Sequence, residues 1–248
     1  MHKLIRLFFC LPIIAACFCH AQDMWNGHQQ LLIVTTGDWQ DKQGALVKYE
    51  RIGDDSPWVF IEGPIPVVLG KSGLAWGIGL HPMPSNANPY KMEGDQKSPA
   101  GIFPLGSAFG FASEDQMGHL EIDYFQLNVN TEAVDDLLSQ HYNMIVKSNE
   151  VIPDWHSSER MLFEPLYEIG MVINHNFPNP KKGAGSAIFF HIWRSEHSGT
   201  AGCTAMSQEN LVSMLSWLNK DKNPLLVQLP VHEYDELMCE WDLPKLEK

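Results

Sequence analysis

The stretch SAIFFHIWRSEHSGTAGCTAMS, residues 186–207, decides the fold that we predict for this chain. Residues 186–193 contain a continuous apolar run, which is typical of a strand buried on both faces. A turn rich in small residues follows, where glycines let the backbone approach a ligand closely. The stretch therefore predicts that a rigid strand carries His191 and that the turn beside it presents Cys203 just before a helix.

Most other elements predicted from the sequence are strands. Apolar runs bounded by turn residues mark strands at 31–36, 45–50, 58–62, 144–147, 170–174 and 225–229. Residues 207–219 form the clearest helix, because Ser207 can cap it and an apolar stripe follows at Leu211, Met214, Leu215 and Leu218. We expect residues 132–138 to form a helical turn, and the Gly- and Pro-rich residues 70–106 to form loop with short strands. The pattern predicts one mainly β domain with few helices over residues 28–230, and a polar C-terminal tail over 231–248.

The first 21 residues resemble a signal peptide. Lys3 and Arg6 precede a short apolar stretch, and cleavage after Ala21 would release the mature chain. The segment ending at Cys17 also resembles a lipobox, in which that cysteine would be lipidated and anchored. We therefore expect an exported, periplasmic protein, with an outer-membrane lipoprotein as the alternative.

The predicted signal peptide changes how the cysteines are interpreted. Three of the five lie in the first 21 residues, which leaves Cys203 and Cys239 in the mature chain. A free thiol in an oxidising compartment is a liability, so a retained one indicates a chemical role. One disulfide between these two cysteines is the alternative.

His191 and Cys203 together are suited to nucleophilic catalysis. A helix N-terminus and successive N–H groups would lower the thiol pKa and bind an oxyanion, while His191 moves the proton. We expect Gly202 and Cys203 to supply the oxyanion N–H groups, with Thr204 as a further donor. From residue types alone, a second interpretation remains open, in which Cys203 is merely a buried cysteine and His191 a histidine of the core.

Several nearby polar residues are candidates for contacting substrate. These are Arg194, His197, Thr200, Thr204 and Asn174. Asn174, His175 or Asn176 could also orient His191, and His81 and His119 could line a cleft. Surface, loop and turn roles are the competing interpretation for each.

Other function classes find no support in the sequence. The net charge is −13 and no basic run is present, which argues against a nucleic-acid partner. No phosphate-binding loop, dinucleotide fingerprint or zinc-ligand spacing occurs, so we expect no cofactor and no metal.

The motifs resemble the catalytic domain of the YkuD-type L,D-transpeptidases. The nucleophile segment Thr200-Ala201-Gly202-Cys203 resembles that family's less studied branch, and residues 94–103 resemble its G-D-x-x-[ST]-P-x-G-x-[FY] segment. Matches run from residue 70 to residue 230. The better-known branch has a histidine where this chain has Ala201 and an arginine where it has Ala205, and its His-to-Cys interval is longer. These departures leave substrate preference and oxyanion geometry open.

The resemblance implies a fold and a reaction. The fold is a twisted mixed β-sheet or sandwich. The reaction is attack by Cys203 on a peptidoglycan stem tetrapeptide, a thioester intermediate, and transfer to an amine of a neighbouring stem. Water as acceptor would make the protein an L,D-carboxypeptidase or amide hydrolase on the same fold. A non-catalytic cell-wall-binding protein is the other alternative.

Overall fold

The computed structural model describes residues 24–84 and 87–247. The predicted signal peptide and the lipobox ending at Cys17 lie outside these ranges. The strands are β1 (Gln30–Thr36), β2 (Gln43–Glu50), β3 (Val59–Val68), β4 (Leu74–Trp76), β5 (Ser98–Gly110), β6 (Tyr124–Gln126), β7 (Thr131–Val134), β8 (Met144–Lys147), β9 (Ser158–Arg160), β10 (Ile169–Ile173), β11 (Phe189–Ile192), β12 (Thr204–Met206) and β13 (Leu225–Pro230). The helices are α1 (Glu114–Met117), α2 (Gln208–Trp217) and α3 (Val231–Leu237), and 3-10 turns cover Met161–Phe163, Pro165–Tyr167 and Lys220–Lys222.

Eight strands form a closed, barrel-like ring. Their order is β5, β10, β11, β12, β3, β2, β1, β13 and back to β5. Strand β5 makes closure possible because its first half pairs with β13 and its second half with β10. The β1–β13 and β11–β12 pairs are parallel and their neighbours are antiparallel, so the sheet is mixed. The prediction of a single, mainly β domain with few helices is confirmed.

Strand β5 begins inside the stretch predicted to be loop. Gly101 adopts a φ of +137° there, and a Cβ at this position would overlap the ring of His81. The glycines and prolines of this segment therefore belong to a strand that passes close to a buried side chain, and not to an irregular loop.

A second sheet of three antiparallel strands, in the order β8-β7-β9, stands beside the ring. The helical turn predicted at 132–138 is wrong for its first part, because residues 132–134 belong to β7. Their backbones pair with β8 on one side and β9 on the other, and Val134 is fully buried. Cross-strand pairing thus outweighs the local preference.

Helix α2 confirms the helix predicted after residue 207. Ser207 caps it by accepting a hydrogen bond from the Asn210 N–H at 3.2 Å. Leu211, Met214 and Leu215 are buried, and the helix lies against β10 and β11. The helix therefore packs against the strand that carries His191.

The C-terminal segment is not the polar tail that was predicted. Residues 231–237 form α3, and Tyr234, Trp241 and Leu243 are buried in the main core. The Trp25 indole N–H donates to the Trp241 carbonyl at 2.6 Å, which ties this segment to the start of the described chain. The sequence did not indicate this packing, because the apolar residues of the segment are widely spaced among charged ones. Within the described ranges, no helix is long and apolar enough to cross a membrane.

Candidate active site

The sheet register places Cys203 and His191 on the same face. In the parallel pair β11–β12, Phe190 lies opposite Thr204 and His191 opposite Ala205. Cys203 lies directly before β12, two residues before Ala205, where alternation continued from the strand would put it on the His191 side; both residues line the same cleft. Strand spacing and rise put the two Cα atoms about 8 Å apart, a distance that the side chains can bridge. The predicted arrangement of strand and turn is therefore present.

The Cys203 sulfur is held as a buried thiol. Its Sγ accepts from the Phe189 N–H at 3.3 Å and donates to the Ala187 carbonyl at 3.4 Å, and the residue is 6% exposed. Burial raises the pKa of the thiol to about 12, and the Glu159 carboxylate contributes in the same direction. The pKa is thus shifted opposite to the expected lowering, because burial outweighs the groups that would favour the thiolate; β12 also separates Cys203 from the N-terminus of α2.

His191 is a buried, neutral base. Its Nδ1 donates to the Ile192 carbonyl at 2.8 Å, which leaves the Nε2 lone pair free to accept a proton. Burial lowers the pKa of His191, an effect that Glu164 opposes and Arg194 reinforces. Among the described residues, no hydrogen bond joins His191 to the Cys203 sulfur in this resting geometry.

Two hydroxyls fix the turn that carries the nucleophile. Ser98 Oγ and Thr200 Oγ1 both donate to the Cys203 carbonyl, at 2.9 and 2.6 Å. The Gly202 N–H donates to Thr200 Oγ1 at 3.1 Å, so this amide, predicted as an oxyanion donor, is already engaged. Within the described ranges no hydrogen-bond acceptor is found for the Cys203 N–H. Of the two amides predicted as oxyanion donors, only that of Cys203 is therefore unengaged.

Two of the predicted substrate contacts lie elsewhere. The Thr204 side chain points into the core, where its hydroxyl donates to Gln228 Oε1 at 2.7 Å. Asn174 lines a separate apolar cavity of about 370 Å³ between the ring and the small sheet. Neither it nor its neighbours orients His191, because His175 instead accepts from the Ile78 N–H at 3.2 Å. Neighbouring side chains of an extended chain point to opposite sides, so Thr204 points into the core while Cys203 faces the cleft.

Cys203 opens into a cleft of about 930 Å³ with charged walls. Its cationic side chains are Lys42, Lys71, Lys91 and Arg194. His197 and Thr200 line the same cleft, so the structure brings together three of the predicted contacts, these two and Arg194. The anionic wall comes from the small sheet and the 3-10 turns that follow it. Its carboxylates are Asp135, Glu159 and Glu164. A ligand in the cleft therefore meets charged groups of both signs close to Cys203, and Glu93 is a further carboxylate of the lining.

Sequence reasoning missed three charged or polar groups near the sulfur. Lys91 is buried and its ammonium binds Asp95 at 2.6 Å. Asp95 also accepts from the Met92 and Lys97 N–H groups, so the Gly94-Asp95 motif builds the loop that holds this cation. Tyr167 and Glu159, joined by a 2.7 Å hydrogen bond, face the cleft from the other side. No local pattern indicates that Lys91, Glu159 and Tyr167 approach the sulfur, because all three lie far from Cys203 in the sequence.

Cys203 and Cys239, the cysteines within the described ranges, are not bonded to each other. Cys203 is buried and Cys239 is exposed, and both are free thiols, so the disulfide alternative is wrong. Within the described ranges, no three potential metal-ligating side chains are grouped together. Compared with known proteins, the chain matches no protein-family model and no curated protein sequence.

Proposed function

We propose that this protein is a cysteine acyltransferase in which Cys203 is the nucleophile and His191 the base. The observation that carries the proposal is that both residues line one large cleft, His191 from β11 and Cys203 from the turn directly before β12. A lone buried cysteine would not require an unengaged Nε2 beside it, nor two hydroxyls dedicated to fixing its own backbone.

The protonation state of Cys203 before substrate binds determines the order of the proposed steps. Because its pKa is raised while that of His191 is lowered, a stable thiolate–imidazolium pair does not form before substrate binds. His191 Nε2 therefore takes the thiol proton as the sulfur–carbon bond forms. The carbonyl π electrons move to oxygen, and the Cys203 N–H stabilises this oxyanion.

The second half restores the enzyme. The oxyanion collapses, the scissile carbon–nitrogen bond breaks, and the leaving amine takes the proton from His191. A thioester remains on Cys203. An acceptor amine then attacks this thioester and gives its proton to Nε2, and the sulfur leaves and recovers that proton. Atoms and charges balance without a cofactor.

The substrate that we propose is a peptidoglycan stem tetrapeptide, as both donor and acceptor, met after export. The support is the sequence resemblance to YkuD-type L,D-transpeptidases, together with the charged walls. A stem peptide carries ammonium and carboxylate groups, and the cleft lining offers the carboxylates of Glu159 and Glu164 and the cations of Lys71 and Arg194.

The test incubates the purified protein with disaccharide tetrapeptides and follows product masses. We expect loss of terminal D-Ala with formation of a crosslinked dimer, and a thioester adduct on the Cys203 peptide. Cys203→Ala should abolish both, while Cys239→Ser, which changes the exposed thiol, keeps full turnover.

Three outcomes would contradict the proposal in distinct ways. Full activity of Cys203→Ala would remove the nucleophile. D-Ala release without any new bond would indicate the L,D-carboxypeptidase alternative. Muropeptide binding without turnover, retained in Cys203→Ser, would indicate a cell-wall-binding protein.

A further inference from the structure

Tyr167 occupies a position beside both members of the proposed catalytic pair. It ends the 3-10 turn Pro165–Tyr167, which the Glu164 side chain caps by accepting from the Leu166 N–H. Its ring meets the His191 ring edge-on at 5.5 Å and the Phe189 ring at 5.6 Å. Phe189 is the residue whose N–H contacts the sulfur. Tyr167 lines the cleft although it is only 4% exposed.

The Tyr167 hydroxyl faces two groups that can become anionic. In the resting state it donates to Glu159 Oε2 at 2.7 Å. Tyr167 and Cys203 line the same cleft, and the phenol lowers the pKa of the thiol, whereas the Glu159 carboxylate raises that pKa. In the resting geometry no hydrogen bond joins the Tyr167 hydroxyl to the sulfur among the described residues. The Lys91 ammonium lowers the thiol pKa as well. One hydroxyl proton thus lies between a carboxylate and a thiol.

We propose that Tyr167 is a further residue of the acyl-transfer site, whose hydroxyl turns from Glu159 to the Cys203 sulfur as negative charge develops there. This inference rests on the proposed function for its purpose, though not for its test. A phenol with its pKa raised well above 10 keeps its proton and acts as a hydrogen-bond donor. A hydrogen bond to an anion is stronger than one to a neutral thiol, so the donor favours the thiolate.

Glu159 has two opposing effects in this arrangement. Its carboxylate orients the phenol toward the cleft, but it also competes for the hydroxyl proton and repels a thiolate. Burial raises the pKa of Glu159, an effect that the Tyr167 hydrogen bond opposes. Removing its charge should therefore activate the sulfur, whereas removing the Tyr167 hydroxyl should deactivate it. Opposite effects from two bonded residues are not expected from loss of packing alone.

The experiment measures alkylation of Cys203 by iodoacetamide in the full-length chain, with peptide mass spectrometry resolving each cysteine. Well below the thiol pKa, the rate is proportional to the thiolate fraction, and each pKa unit changes it about tenfold. Between pH 8 and 10 we expect Tyr167→Phe to react about three- to tenfold more slowly than wild type. Glu159→Gln, which keeps a carbonyl acceptor for the phenol, should react faster by a similar factor.

Two controls separate this role from a structural one. Tyr234→Phe removes another buried hydroxyl, which donates to the Pro244 carbonyl at 2.6 Å, and should leave the Cys203 rate unchanged. The exposed Cys239 should react equally in all variants. The proposal is overturned if Tyr167→Phe reacts as fast as wild type or faster, or if Glu159→Gln is not faster. If Tyr167→Phe does not fold, the Glu159→Gln result decides. The readout needs no muropeptide, so the inference is tested even if no turnover is found.

Discussion

His191 and the pair His81 and His175 are all buried, yet they lie in regions with different surroundings. Burial lowers the pKa of each of the three, to about 4 for His81 and His175. His81 and His175 pack edge-on against Phe103, and their Nδ1 atoms accept from the backbone N–H groups of Ile102 and Ile78. His191 instead donates through Nδ1 and lines the cleft with its other nitrogen unengaged.

The difference teaches how to recognise a working histidine. A lowered pKa does not distinguish the two regions, because desolvation acts on every buried imidazole. What distinguishes them is the free acceptor atom. In the pair, Nδ1 is committed to the backbone, so protonation there breaks a hydrogen bond that the fold uses. In His191 the Nε2 lone pair can take a proton at the cleft while Nδ1 keeps its partner.

The largest effect should come from His191→Gln. We expect muropeptide turnover to fall about a thousandfold, which is within the usual range for loss of a general base. The thermal midpoint should stay within a few degrees of wild type, because Nδ1 makes one local hydrogen bond. His119→Gln is the control, since His119 is exposed and remote from the cleft. A comparable loss of turnover in both variants would show that the loss is not specific to His191.

A smaller effect, on stability, is expected from Gly101→Ala. The new methyl group would overlap the His81 ring at a φ of +137°, so both strain and displacement of a packed side chain oppose folding. We expect the free energy of unfolding in urea to fall by about 3 kcal/mol. Gly53→Ala, at a position with open space around it, should change it by less than about 0.5 kcal/mol. Equal values for the two variants would show that the His81 region tolerates repacking.

The smallest effect concerns pH. The unfolded chain binds a proton at each histidine near pH 6.5, whereas folded His81 and His175 bind one only near pH 4. Their contribution to stability is therefore full above pH 6.5 and is lost as the pH falls toward 4. Lys91 lowers the pKa of His175 further.

Between pH 7 and pH 5 each of the two histidines should remove about 2 kcal/mol of unfolding free energy. His175→Gln should reduce this loss by that amount, and His119→Gln should leave it unchanged. A pH dependence of stability identical in all three proteins would count against the buried, neutral state of His175.

Local patterns were sufficient for part of the fold and of the site. The strand at His191, the turn at Cys203 and the helix capped by Ser207 are all encoded within one stretch, so their prediction holds. Short apolar runs likewise located β1, β2 and β13, because burial leaves a period in the sequence.

The remainder depends on contacts between distant segments. Strand β5 pairs with β10 and β13, which lie more than fifty residues later in the chain, and nothing local indicates both partners. The same holds for Tyr167 and Glu159, which reach the sulfur from the small sheet side. The thiol pKa also depends on such contacts, because distant segments bury the sulfur and bring Glu159 near it. The helix that follows in sequence is separated from Cys203 by the three residues of β12.

The parallel pairing of β1 with β13 has a consequence for how the protein forms. Residues 31–36 take as neighbours residues 225–230, so the first strand of the described chain cannot complete its pairing until the last has been synthesised. Contacts of such sequence separation slow folding, because a long loop must close before they stabilise anything. The ring should therefore assemble late and slowly, with exposed strand edges that invite association between unfinished chains. Refolding yield should accordingly fall with protein concentration long before the native state itself becomes unstable.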